Sequence, residues 1–140
     1  MEQNTKKIFV PCKERIDKRG YIRFAYDDMG HYATQDVTVI VKDEWVRESY
    51  EYLVAYLNSS LIFQYLENTG FRRGGVLEFS EKPLADIPVK LINWKKPIEV
   101  DTHDRISSLV TKIRKEHSLD IIEEIKPEID RLLSQLLVIN

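Results

Sequence analysis

At 140 residues, 43% hydrophobic and 31% charged, the chain has the size and composition of one globular domain with its own core, which sets aside the disordered and fibrous classes. Cys12 is the only cysteine, so an internal disulfide and a cysteine-based zinc site are excluded and a reducing cytoplasm is the expected setting. Met1 to Lys7 is polar throughout, unlike a signal peptide, and no apolar run approaches the roughly 20 residues that span a bilayer, so no membrane partner is expected. The net charge of −2 is unevenly spread. From Lys6 to Phe24, seven basic residues (Lys6, Lys7, Lys13, Arg15, Lys18, Arg19, Arg23) face two acidic ones (Glu14, Asp17). Such a patch attracts phosphate within a Debye length of about 8 Å. A solvated strand face with a lysine-rich turn would carry the same residues.

Taken in chain order, Lys7 to Val10 predicts a short strand ended by Pro11. Lys18-Arg19-Gly20 is a turn, and Tyr21 to Tyr26 alternates as a second strand. Asp27-Asp28-Met29-Gly30 is another turn, followed by an extended run from Tyr32 to Lys42. These short connections predict an antiparallel meander, because parallel crossovers need longer helical links. After Lys42 the period lengthens. Tyr50, Leu53, Val54, Leu57, Leu61 and Tyr65 predict a helix from about Glu48 to Glu67, with Asn58-Ser59-Ser60 as a weak point. Its tyrosines read as core. Val76 to Phe79 returns to strand, and Asp86 to Pro97 reads as a docked connector anchored near Trp94. Asp101 or Thr102 is expected to cap a helix carrying Ile106, Leu109, Val110 and Ile113. A second helix carries Leu119, Ile122, Ile125, Ile129, Leu132, Leu133 and Leu136, and Pro127 either starts a fresh helix or kinks this one. The expected fold is α+β: a small antiparallel or mixed sheet on an amphipathic helix, then a C-terminal helical hairpin. The division is 1–97 for the α+β core and 98–140 for the hairpin, as part of the same domain or as a docking extension.

Several chemistries have no footing. None of the five glycines forms the G-x-G turn of a doubly wound dinucleotide or S-adenosylmethionine site, no asparagine precedes a proline, and no phosphate loop is present. His31, His103 and His117 lie apart from one another and from carboxylates at ligand spacing. A magnesium nuclease needs a carboxylate two residues before a lysine on a strand near Asp27, Asp28 and Asp36. The sequence offers only Glu124-Ile125-Lys126, in a helical stretch. No catalytic residue, metal site or cofactor site is assigned.

The stretch Gly70-Phe71-Arg72-Arg73-Gly74-Gly75 reads as a contact loop between a helix and a strand. Arginine suits bidentate contact with phosphate or a guanine edge, and paired glycines allow close backbone approach. Pairing of these arginines with Glu67 or Glu78 at the surface is the plain alternative.

Phe24-Ala25-Tyr26-Asp27-Asp28, then Tyr32-Ala33 and Asp36-Val37, resemble the strand pair of the C-terminal target recognition domain of adenine-specific DNA methyltransferases, of the TaqI-like and Eco57I-like type II kind. In that family a helix ending in Leu-Asn-Ser follows, here Leu57-Asn58-Ser59. Next come Arg72-Arg73-Gly74-Gly75, Glu78-Phe79-Ser80, Lys82-Pro83-Leu84 and Ile87-Pro88. Ile129-Asp130-x-Leu132 is similar to the terminal helix, without its usual tyrosines. The ordered set covers most of residues 7–137.

The resemblance implies sequence-specific recognition of double-stranded DNA without chemistry of its own. The partner it implies is a methyltransferase catalytic domain, in cis or in trans, that holds S-adenosylmethionine and methylates adenine N6 in restriction–modification. The parent is expected to be that methyltransferase, alone or fused to a type II restriction endonuclease. The expected DNA contacts are Lys13, Arg15, Lys18, Arg19, Arg23, His31, Arg72, Arg73, Gly74 and Gly75. The alternative is a protein-interaction module that self-associates through the leucine-rich C-terminal helices.

Overall fold

A computed structural model describes residues 6–11, 13–15, 24–31, 37–69, 71–73, 76–78, 87, 89–116 and 119–139. The chain divides into two compact units that are discontinuous in sequence. One comprises Met1–Val46 and Leu57–Pro88, the other Arg47–Tyr56 and Val89–Asn140.

The first unit holds two three-stranded antiparallel sheets. In one, β1 (Lys7–Pro11) lies between β3 (Ala25–Asp27) and β4 (Val37–Ile40). In the other, β6 (Val76–Glu78) lies between β2 (Lys13–Arg15) and β5 (Phe71–Arg73). The register pairs Ile8 with Tyr26 and Ile40, and Phe9 with Ala25 and Val39. Side chains alternate along β1, and the β-branched Ile8 and Val10 share the face that is fully buried. Each such burial is worth about 1.5–3 kcal/mol. Of the strand expected at Val76 to Phe79, Val76–Glu78 lies among the described residues and is a strand, but it pairs with β2 and β5 rather than joining the β1 sheet.

The helix expected from Glu48 to Glu67 is two helices, α1 (Tyr50–Leu57) and α2 (Ser60–Thr69). The weak helix formers between them have other bonds to make. Asn58 offers its amide to the backbone of Phe24, accepting from Phe24 N–H at 2.7 Å and donating to Phe24 C=O at 3.0 Å. Ser59 caps α2, its hydroxyl accepting from Ile62 N–H at 3.4 Å and its carbonyl from Phe63 N–H at 3.1 Å. Ile62 and Leu66 are the fully buried positions of α2, one turn apart.

The second unit is helical: most of α1, then α3 (Pro97–Glu116) and α4 (Leu119–Ile139) as a packed helical pair. The start of α3 is five to six residues earlier than expected, with Lys96 in place of Asp101 or Thr102 at the cap. Pro97 takes the first helical position, where its missing N–H costs nothing, and Lys96 C=O accepts from Glu99 N–H and Val100 N–H. Helix α4 runs unbroken through Pro127, so no fresh helix begins there. A proline in a helix interior costs about 3 kcal/mol. Ile125, Ile129, Leu132, Leu133 and Leu136 are all buried, and at about 1.5–3 kcal/mol each they outweigh it. The leucine-rich face considered as a seam for self-association is thus buried within the chain. Tyr50, Tyr52 and Tyr56 are buried as core, and Ile106 and Val110 of α3 complete it. None of the described helices is long and apolar enough to cross a membrane.

Candidate nucleic-acid interface

Of the basic residues expected to meet DNA, Lys13 and Arg15 lie on β2, and Arg72 and Arg73 on β5, the two outer strands of one sheet. Register sets Arg15 and Arg73 opposite the same residue of the middle strand, Val76. They occupy one row, about 10 Å apart across two strand spacings. Arg72 falls in the next row, opposite Leu77 with Glu14 beyond it. The expected contact loop is corrected here. The backbone of Phe71–Arg73 is a paired strand rather than a loop. The antiparallel pairing of Phe71–Arg73 with Val76–Glu78 is not expected from the sequence, which in this stretch places a strand only at Val76 to Phe79. Lys18, Arg19, Arg23, Gly74 and Gly75 lie outside the described residues.

His31 belongs to a different setting. It follows β3, and β3 ends in Asp27, a buried carboxylate facing Lys7 across the β1–β3 register. Lys7 Nζ is 3.3 Å from Asp27 Oδ2 and 5.6 Å from the centre of the Phe9 ring, which shares its face of the strand. The same carboxylate closes the turn that follows. Met29 N–H donates to Oδ1 at 3.4 Å and His31 N–H to Oδ2 at 3.0 Å, while Gly30 takes a φ of 80° that a residue with a Cβ adopts with strain. The His31 ring completes the set with Nδ1 at 2.6 Å from Oδ1. Burial by itself would raise the Asp27 carboxyl; the hydrogen bonds from His31, Lys7 and Met29 outweigh it and hold the pKa at about 2.

The helical unit has polar groups of another kind. Glu48 is buried and accepts from Ile92 N–H at 2.7 Å. Glu99, fully buried, accepts from Asn93 N–H at 2.9 Å, with Lys90 Nζ at 3.5 Å from the same oxygen. The Asn93 N–H and the charges of Lys90 and Lys96 keep the Glu99 carboxyl below the usual range against the opposing effect of burial. Ser49 caps α1, its hydroxyl accepting from Tyr52 N–H at 2.9 Å and meeting Ser107 Oγ at 2.6 Å. Ser49 N–H donates to His103 Nε2 at 3.1 Å, which leaves the ring proton on Nδ1 to donate to Asp104 at 2.9 Å. Tyr52 and Trp94 pack against that imidazole, and the Arg47 guanidinium lies 4.5 Å over the Trp94 ring. Tyr52 O–H donates to Lys90 C=O at 2.6 Å, and burial pushes its phenol well above the usual range. These bonds pin the segment around Trp94, as expected of a docked connector.

Both histidines thus have carboxylate partners that the sequence reading did not assign. His31 pairs with Asp27 four residues earlier, and His103 with its neighbour Asp104. The first was foreshadowed by a glycine turn set between an acid and a histidine; the second had no comparable pattern. Among the described residues no group of three or more His, Cys, Asp or Glu is arranged to hold a metal ion.

Residues 2–89 match the family described as the TaqI-like C-terminal specificity domain. The chain is similar to the type II methyltransferase M.HindII of Haemophilus influenzae (strain ATCC 51907 / DSM 11121 / KW20 / Rd), at 47% identity over 130 residues, which is 93% of this chain and 25% of that protein. It is 46% identical over 130 residues to the type II methyltransferase M.HincII of Haemophilus influenzae, covering 93% of this chain and 26% of that protein. A third relative, the type II methyltransferase M.MjaIV of Methanocaldococcus jannaschii, is 33% identical over 108 residues, 76% of this chain and 35% of that protein. The chain spans about a quarter of the length of the first two. A match of 130 residues necessarily extends past residue 89 into the helical unit.

Proposed function

The chain belongs to the TaqI-like C-terminal specificity domain family, and on that premise we propose that it recognises a specific sequence in double-stranded DNA on behalf of a type II adenine N6 methyltransferase. The family match over residues 2–89 carries this reading. A methyltransferase acting on a base must first extrude it from the stack. The region that grips the extruded adenine is engaged with chemistry, so a separate region has to hold the duplex and read the neighbouring pairs. Phosphate contacts set register, and a few side chains at base edges supply the sequence. Lys13, Arg15, Arg72 and Arg73, gathered on one small sheet, suit the phosphate part of this task, with Lys18, Arg19 and Arg23 close in sequence.

S-adenosylmethionine binding is assigned to a methyltransferase catalytic region, in cis or in trans. The residues here do not fit that cofactor. Both sheets of the described residues are antiparallel, and a doubly wound site needs the carboxyl edge of a parallel sheet with a glycine turn leading into a helix. Calorimetric titration of the chain with the cofactor is expected to give no heat.

The DNA face is tested by binding of Arg72→Ala and Arg73→Ala to duplex DNA across a salt series. Loss of a phosphate contact weakens binding to all sequences alike and lowers the salt slope by about one unit. Loss of a base contact costs roughly 1–3 kcal/mol on the preferred sequence and little elsewhere. Two variants with affinity, slope and sequence preference all unchanged would remove this sheet from the interface.

A further inference from the structure

His31 is an exposed side chain held in one pose from below. Its side chain is 70% exposed, yet the ring and the backbone N–H of the residue are both tied to the Asp27 carboxylate. That carboxylate is fixed in turn by Lys7 from the neighbouring strand, and Gly30 lets the chain curl back over it. The turn is already closed by the N–H groups of Met29 and His31. The contact through the imidazole therefore adds orientation to a surface group rather than closure to the fold. Orientation of this kind lowers the entropy lost when a side chain is immobilised by a partner, which is how pre-set binding residues gain affinity.

The chemistry of the ring follows from its support. Asp27 is ionised above about pH 2 and, as a carboxylate, only accepts hydrogen bonds. Nδ1 therefore carries the ring proton and donates to Asp27. In the neutral ring Nε2 is then an acceptor. In the major groove the available donors are the exocyclic amino groups, N6 of adenine and N4 of cytosine, whereas phosphate oxygens donate nothing. We propose that His31 reads an adenine or cytosine amino group through Nε2, and that Asp27 is the positioning residue that sets its pose and tautomer. This rests on the DNA-recognition reading above and adds to it one base-reading residue and its support.

The test uses the full chain and a randomised duplex pool from which bound sequences are recovered, together with ring 15N spectra of the histidines. The wild-type chain is expected to enrich a motif and to show His31 with its proton on Nδ1. His31→Ala, checked for an unchanged fold by circular dichroism, should lose preference at one A·T or C·G pair by about tenfold and keep the others. Asp27→Asn should relax the same pair and show a mixture of ring tautomers. An unchanged motif in His31→Ala, or an equal loss on every sequence that marks a phosphate contact, overturns the base-reading role. Asp27→Asn that lowers the melting temperature but keeps both motif and tautomer overturns the positioning role. A wild-type chain that enriches no sequence overturns the recognition reading itself, and this proposal with it.

Discussion

In the helical unit Glu48, Ser49, Glu99 and His103 turn inward and meet backbone N–H groups, while in the sheet unit the Asp27 carboxylate is buried but its last ligand, the His31 ring, stands in solvent. Both arrangements use carboxylates and an imidazole to meet backbone N–H groups or a buried acid. They differ in which member is exposed: the His103 imidazole is buried and its partner Asp104 is exposed, whereas at Asp27 the acid is buried and the imidazole is exposed. A buried polar group left unpaired loses its hydration with no return, so the inward network serves folding. A surface ring clamped by a buried acid contributes little to a core, and its fixed pose is available to a partner.

The sharpest way to break that contrast is Glu99→Ala. It strips Asn93 N–H of its acceptor and removes the carboxylate beside Lys90, and the expected cost is about 3 kcal/mol in urea unfolding. A change below about 1 kcal/mol would mean that the inward network is not a folding element. Asn58→Ala comes next. It leaves both backbone groups of Phe24 without their amide partner and is expected to cost about 2 kcal/mol by the same measurement.

The third test concerns acid. Asp27 has a folded-state pKa of about 2 against an ordinary value of 3.8, so its contribution is fully present above the ordinary value and is lost as pH falls through it toward 2. Asp27→Asn should flatten the stability profile across that window. An identical acid limb in wild type and variant would show that the Lys7–Asp27–His31 set does not act on stability. The smallest effect belongs to the surface pair. Glu128 is held down to about 2, first by its hydrogen bond to Arg131 and also by Arg105, but these arginines are more than half exposed. Arg105→Ala is expected to leave the melting temperature within error at physiological salt, where such pairs are screened.

The elements that could be read from the residues are those whose information is local. A short apolar run stopped by Pro11 located β1, and the short run beginning at Val76 located β6. Helical spacing located α4 and the buried Tyr50, Val54 and Leu57 of α1, but for α2 it named Leu61 and Tyr65, whereas Ile62 and Leu66 are buried there and Leu61 is exposed. The ordered motifs located the family. Where a boundary depended on a distant group, the reading moved. One expected helix became α1 and α2 because Asn58 is occupied by Phe24, 34 residues away, and no local pattern carries that bond. Pro127 was expected to start a fresh helix or to kink this one because its local cost is visible, whereas the burial of Ile125, Ile129 and Leu132 that offsets this cost within one continuous helix becomes real only once the helix is packed.

The candidate contacts divide along the same line. Residue type alone named Arg72, Arg73, Lys13 and Arg15 as cations suited to phosphate. Strand pairing then decided that they share one sheet, that Arg15 and Arg73 stand in one row, and that Arg72 stands in another. For His31 the sequence by itself determined an imidazole after a glycine turn. Only the tertiary structure decided that Lys7, 20 residues before Asp27, would fix the acid beneath it. The physical reason is common to both cases. Composition and periodicity report how a residue interacts with its chain neighbours and with water, while pose and partner are set by strand pairing, whose register depends on residues remote in sequence.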